Sequence, residues 1–296
     1  KLMRVSLRDR DRALAASSWR SMMPGLMDRR DGPRKLVIPD SVAPATVWSP
    51  ALGRPALGPA RNRFVRSAGP VPPLPTQDAD IAFAPVTLLS RWVESRALSS
   101  ERLTRIYLDR IQRLDGSLRS VITLTAEHAL AQARQADREI AAGRYRGPLH
   151  GLPYGLKDLL DTAGVRTTYG AEPFRDRVPT QDAAVVQRLQ AAGAVMLAKL
   201  SLGALAMNDI WFGGQTMNPW VPEEGASGSS AGPGAATAAA LVAFSIGSET
   251  GGSIVSPSMR CGVTGLRPTF GRVPRTGAMT LCWSLDKLGP MTRSVE

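Results

Sequence analysis

From Ile81 onward, apolar residues recur with regular periods, and before it they do not. Val86 to Ser95 reads as a short helix. Ser99 or Ser100 is placed to cap the next one, whose Leu103, Ile106, Tyr107 and Ile111 share a face. Gly116 is expected to end that helix. Val121 to Thr125 alternates as a strand does, and Ala126 to Ala142 forms a polar-faced helix closed by Gly143. Helices over about 182–193 and 233–242 then alternate with apolar, strand-like runs at Val195–Leu197 and Leu241–Ile246. Helices interleaved with short apolar strands predict an α/β fold around a mostly parallel sheet. No internal repeat is present. The most apolar stretch, Ala235 to Ile246, is shorter than the roughly 18 residues a bilayer span needs.

Residues 1–75 lack a sustained period of either kind. Prolines recur from Pro24 and cluster at Pro70, Pro72, Pro73 and Pro75. Proline fixes φ and removes a donor, so this segment is expected to be a disordered or extended leader. It holds 14 Lys and Arg against five Asp and no Glu, and therefore carries most of the chain's net charge of +12. The body, 76–296, is nearly balanced. A basic leader invites a nucleic-acid or anionic-surface reading, with a solvated extension as the alternative. No apolar h-region precedes a cleavage site, so a cytoplasmic location is expected. The chain begins at Lys1 and stops at Glu296 without a helix stop or turn signal, which suggests a fragment.

Two cysteines, Cys261 and Cys282, make no disulfide framework. Two histidines, His128 and His150, leave little from which to assemble a zinc site.

Three segments between 150 and 275 carry candidate chemistry. In Gly151-Leu-Pro-Tyr-Gly-Leu-Lys157-Asp158-Leu-Leu-Asp161 a lysine sits inside an apolar run. There it must pair or lose its proton; a purely structural lysine would pair with Asp158 or Asp161. The loop Gly225-Ala-Ser-Gly-Ser229-Ser230-Ala-Gly-Pro-Gly234 lacks the Gly-Lys-Ser/Thr end of a phosphate loop. Its Gly228-Ser-Ser230-Ala-Gly232 fits a nucleophile elbow, but no histidine follows His150 to serve as its base. In Gly247-Ser-Glu-Thr250-Gly251-Gly252-Ser253, consecutive amides could form an anion-binding nest suited to an oxyanion. A tight glycine turn is the plainer explanation. Ser284-Leu-Asp-Lys287 fits a Ser-x-x-Lys pattern whose companion motifs are absent.

Together, in this order and spacing, the three segments resemble the amidase signature family. The likeness runs from about residue 80 to Glu296, through Cys261-Gly-Val-Thr-Gly-Leu-Arg-Pro-Thr269 and Leu285-Asp-Lys-Leu-Gly-Pro-Met-Thr-Arg-Ser-Val295. It implies a central mixed, mostly parallel sheet covered by helices on both faces, with the family's C-terminal part lying beyond this chain. It also implies roles: Ser253 as nucleophile, Lys157 as base, and Ser229, after a cis peptide bond, as the relay between them. Thr250, Gly251, Gly252 and Ser253 would supply the oxyanion hole. Such chemistry requires no cofactor and no metal. Two positions depart from the family pattern: Val255 stands where arginine is common, and the Gly/Ser loop reads Ala-Ser-Gly-Ser-Ser-Ala-Gly-Pro rather than Gly-Gly-Ser-Ser-Gly-Gly.

The resemblance implies an amidohydrolase acting on a small-molecule amide. The run lengths and the charge distribution of the sequence itself lead to the expectation of no membrane span and no nucleic-acid partner, and a homo-oligomer is the assembly to test for. An alternative within the family is the amidase component of a tRNA-dependent amidotransferase, releasing ammonia from glutamine or asparagine. An alternative from another class is a non-catalytic nucleic-acid or surface-binding protein using the basic leader.

Overall fold

The computed structural model describes residues 8–35, 65–67 and 69–296. They fall into two units, divided between Ala45 and Thr46.

In the first unit, α1 runs over Asp9–Arg30. Over this stretch the leader is helical rather than disordered or extended; the same expectation for residues 1–7, 36–64 and 68 lies outside the described residues. The Ala, Leu, Met and Arg residues of α1 are strong helix formers, and Asp9 and Asp11 sit in its first turn, where the helix dipole favours them. Its apolar residues are scattered round the axis, with Leu14, Trp19 and Met22 exposed, which is why no helical period is visible.

In the second unit, the described leader residues between 65 and 75 form neither helix nor strand, and the Trp92 indole donates to the Pro72 carbonyl at 2.9 Å. Order then follows the apolar pattern: α2 (Asp78–Phe83), α3 (Val86–Glu94), α4 (Ser100–Leu118), β1 (Val121–Leu124) and α5 (Ala126–Ala141). After them come β2 (Pro153–Lys157), α6 (Ala184–Ala191), β3 (Val195–Leu200), β4 (Ile210–Trp211) and β5 (Gly214–Gln215). The remaining elements are α7 (Ala231–Ala238), β6 (Phe244–Glu249), α8 (Val255–Cys261), β7 (Thr264–Gly265) and β8 (Lys287–Thr292). Ser99 caps α4, its hydroxyl accepting from the Arg102 amide at 3.0 Å, a contact worth about 1 kcal/mol.

Two boundaries differ from expectation. Gly116 does not end α4; the helix continues to Leu118 and closes on Arg119 in the left-handed region. Asp115 makes this exit possible by accepting the amides of Ser120 (2.8 Å) and Val121 (3.2 Å). The Ala-rich helix ends at Ala238, so β6 begins at Phe244 rather than Leu241.

Six strands form one mixed sheet in the order β1-β3-β2-β6-β8-β7. The central strands β3, β2 and β6 are mutually parallel, and β1, β8 and β7 join antiparallel. The central strands are buried along their whole length, as near-continuous apolar runs in parallel sheets should be. Helices α4, α5 and α7 pack on these strands. In parallel α/β sheets, ligands collect beyond the carboxyl ends of the strands. Lys157 and Glu249 are the last residues of β2 and β6, and all the candidate chemistry lies at this end. No helix among the described residues is long and apolar enough to cross a membrane.

Candidate active site

Lys157 is fully buried. Among the described residues its amine pairs with no carboxylate: Asp158 pairs with Lys199 at 3.2 Å, and Asp161 pairs with Arg177 at 2.7 Å. The structural explanation of this lysine therefore fails. Its Nζ lies instead among three hydroxyls, Ser229 Oγ at 2.8 Å, Ser230 Oγ at 2.9 Å and Ser248 Oγ at 2.8 Å. Burial pushes the Lys157 pKa well below the usual lysine range, against the opposing charges of Glu249 and Asp286.

The hydroxyls arrange the protons. Ser230 Oγ donates to the Ser248 carbonyl at 3.1 Å and accepts the Ser248 amide at 3.1 Å. Its proton is committed, so towards Lys157 it is an acceptor. As an ammonium, Nζ can donate to all three hydroxyls. In its neutral form it has two N–H bonds and one lone pair, and one of the other two hydroxyls would then donate to it.

Ser229 is buried and follows a cis Gly228–Ser229 peptide bond. The loop around it is tied down on several sides. Asp209 accepts the Ser227 amide at 3.1 Å, and the hydroxyls of Ser227 and Ser256 meet at 2.7 Å. Gly228 lies so close to the Asn208 carbonyl that a β-carbon would collide with it. Ser230, the middle of the apparent nucleophile elbow, is fully buried; it braces the lysine rather than facing a substrate.

Ser253 lies in the turn between β6 and α8 and is half-buried. Its carbonyl accepts the Ser230 amide at 3.0 Å, which joins it to the relay loop through the backbone. Among the described residues no hydrogen bond links the Ser253 hydroxyl to Ser229. The structure thus brings Lys157 and Ser229 into direct contact and sets Ser253 on the adjoining turn.

The expected nest is partly occupied. Glu249, buried beneath the turn, accepts the amides of Gly252, Ile254 and Val255, the last at 3.1 Å. The Gly252 amide is therefore taken, contrary to expectation, because the longer Glu249 side chain curls back under it. Among the described residues, the amides of Gly251 and Ser253 have no protein acceptor. Space is open beside Gly251 and Gly252, and Gly252 has φ +119°, a conformation glycine adopts most readily. Arg267 Nε stands 3.7 Å from Glu249 and brings positive charge to a turn where Val255 supplies none.

Ser248, Glu249 and Asp286 were given no role from the sequence, and Ser230 was considered there only as the centre of a nucleophile elbow. A serine inside the apolar run of β6 was the only signal for Ser248, and Asp286 appeared within the Leu285–Val295 stretch that carries the resemblance, with no role attached. Among the described residues, no group of three or more His, Cys, Asp or Glu side chains is placed to hold a metal ion.

Residues 102–296 match the family model described as Amidase. The chain is 48% identical over 211 residues to a glutamyl-tRNA(Gln) amidotransferase subunit of Methylococcus capsulatus, covering 70% of this chain and 43% of that protein. It is 47% identical over 227 residues to the putative amidase AmiD of Mycobacterium tuberculosis, covering 76% and 48%. Among solved structures, native peptide amidase from Stenotrophomonas maltophilia matches with a TM-score of 0.68 at 41% identity, covering 76% of this chain and 47% of that one. A fatty acid amide hydrolase matches with a TM-score of 0.70 at 28% identity, covering 75% and 40%. The chain spans a little under half the length of these relatives.

Proposed function

The chain belongs to the amidase family, and on that premise we propose that it hydrolyses carboxylic amides through an acyl-enzyme on Ser253. The observation that carries this reading is the fully buried Lys157, held among hydroxyls with no carboxylate ion-paired to it among the described residues. A free serine attacks amides poorly and needs a base; a lysine kept neutral by burial is one.

In this reaction the Ser253 hydroxyl oxygen attacks the amide carbon. Its proton passes to Ser229 Oγ while the Ser229 proton moves to Lys157 Nζ, 2.8 Å away. The carbonyl π electrons move onto oxygen, where the amides of Gly251 and Ser253 receive the developing charge, with Thr250 at the edge of the turn. The proton then returns by the same route to the leaving nitrogen, the C–N bond breaks, and an ester remains on Ser253. Water, activated by the same relay, cleaves that ester to the acid. The half-buried position of Ser253 suits it to meet a substrate, and Ser229 and Lys157 lie behind it.

The likeness to a peptide amidase and a fatty acid amide hydrolase favours small-molecule amides as substrates. We place the catalytic core in 76–296, with the leader outside it and the reaction in the cytoplasm. A second reading is favoured by the amidotransferase relative: ammonia release from glutamine or asparagine as one component of a tRNA-dependent amidotransferase. Ammonia release from a panel of primary amides, compared between wild type and Ser253→Ala, tests the first reading. Release from glutamine only when partner proteins of such a complex are added would support the second.

A further inference from the structure

Resting on the serine–lysine assignment above, we infer that Asp286 is a positioning residue for amide cleavage, its carboxylate fixing Thr250 beside Ser253. The placement follows from strand register. β6 and β8 pair antiparallel from Ser245↔Met291 to Glu249↔Lys287. One further step sets Thr250 opposite Asp286, just past both strands. There the Thr250 hydroxyl donates to Asp286 Oδ1 at 2.6 Å. The same carboxylate accepts the Leu281 amide at 2.8 Å and the Cys282 amide at 2.9 and 3.0 Å. Hydrogen bonds to an ionised carboxylate are roughly twice as strong as neutral ones.

The turn needs such a restraint. Gly251 and Gly252 have open space where side chains would stand, so packing does not fix them. Glu249 holds the far end through the amides of Gly252, Ile254 and Val255. Asp286 holds the near end through Thr250. The unpaired amide of Gly251 lies between the Thr250 anchor and the first amide held by Glu249, while that of Ser253 is flanked by the Glu249-held amides of Gly252 and Ile254. The direction of the Gly251 amide, which decides whether it meets an oxyanion, therefore depends on Thr250.

Asp286 has a second effect, on charge. Among the described residues, the charges that favour protonated Lys157 are those of Glu249 at the end of β6 and Asp286 just before β8. The 225–230 loop and β6 present it with the hydroxyls of Ser229, Ser230 and Ser248. On β3, Lys199 is already paired with Asp158.

A residue that merely shaped the 281–286 loop would affect stability but not the chemistry at Ser253. The test uses the full chain and an alkyl fluorophosphonate, measuring kinact and KI for labelling. Ser253→Ala is run first: undiminished labelling there would refute the underlying assignment, whatever Asp286 does. With Ser253→Ala silent, Asp286→Asn should lower kinact on the order of tenfold or more with KI little changed. Thr250→Val should do the same, and Thr250→Ser, which keeps the hydroxyl, should label like wild type. The double variant should be no slower than the slower single one, as for two residues acting through one contact. The rise of kinact with pH should also move to lower pH in Asp286→Asn and stay in place in Thr250→Val. Wild-type kinact in Asp286→Asn, or losses that multiply in the double variant with an unmoved pH profile, would overturn the inference. If Asp286→Asn does not fold, a wild-type kinact in Thr250→Val would overturn it equally.

Discussion

The amide of Ser230 donates to the carbonyl of Ser253 at 3.0 Å, while the Ser230 hydroxyl accepts from Lys157 at 2.9 Å. One residue thus holds the proposed nucleophile by its backbone and the proposed base by its side chain. Ser230 does not lie on the proposed proton route, yet it is bonded to both ends of it.

That difference separates the three serines around Lys157. Ser229→Ala removes the relay itself and should lower turnover by roughly 10²–10⁴-fold, the range for positioned proton-transfer groups. Ser230→Ala and Ser248→Ala leave the relay in place and should cost less than Ser229→Ala. Steady-state kinetics on one amide with all three variants checks the order.

Turnover should follow the neutral fraction of Lys157. Burial lowers its pKa, so kcat/KM should rise with pH and level off well below the ordinary lysine value. The active form is the deprotonated one, hence the sign: activity is lost as pH falls through that lowered value. Lys157→Ala should remove this limb together with most of the activity. A profile that climbs only near the ordinary lysine value would show a lysine that is not desolvated in solution.

Gly228→Ala should disrupt the loop without touching a catalytic group, because a β-carbon there meets the Asn208 carbonyl. Backbone cannot swing aside as a flexible side chain can, so a lowered Tm and a loss of activity are expected together. Differential scanning calorimetry alongside an activity assay measures both.

Away from the site, Glu139 and His150 set an acid limit on stability. Hydrogen bonds from Arg146 and Gln135 hold the Glu139 pKa down to about 2. Burial lowers the His150 pKa in spite of the Glu139 carboxylate 3.3 Å away. Its Nδ1 accepts the Arg146 amide at 3.1 Å, which requires that nitrogen to be unprotonated. Both groups have folded values below their unfolded ones, so the stability they confer is present above the unfolded values and lost as pH falls. The histidine contribution should begin to fall near its ordinary value of about 6.5, and the Glu139 contribution near the ordinary value of 4.5, its loss being complete only below about 2. Chemical denaturation across this range, with His150→Gln for comparison, should show a weaker pH dependence in the variant above pH 5.

Much of this was legible in the sequence because periodicity reports burial. Lys157 in an apolar strand, the Gly/Ser loop and the Ser253 turn were each visible as local patterns, and their order identified the family. What stayed hidden depended on pairing between distant segments. Asp286 reaches Thr250 only through the β6–β8 register, and Ser248 reaches Lys157 only because β2 and β6 lie side by side. The occupied Gly252 amide was missed for a similar reason, since the reach of Glu249 is a matter of side-chain length. Helix α1 escaped notice because its described residues bury no apolar stripe for a period to reveal.

The central claim is that Ser253 is an activated nucleophile. Treating the full-length protein with a fluorophosphonate and mapping the adduct by peptide mass spectrometry tests it most directly. One phosphonyl group on Ser253, absent in Ser253→Ala and slowed in Lys157→Ala, is the predicted result. An unlabelled folded protein, or an adduct on any other residue, would contradict it.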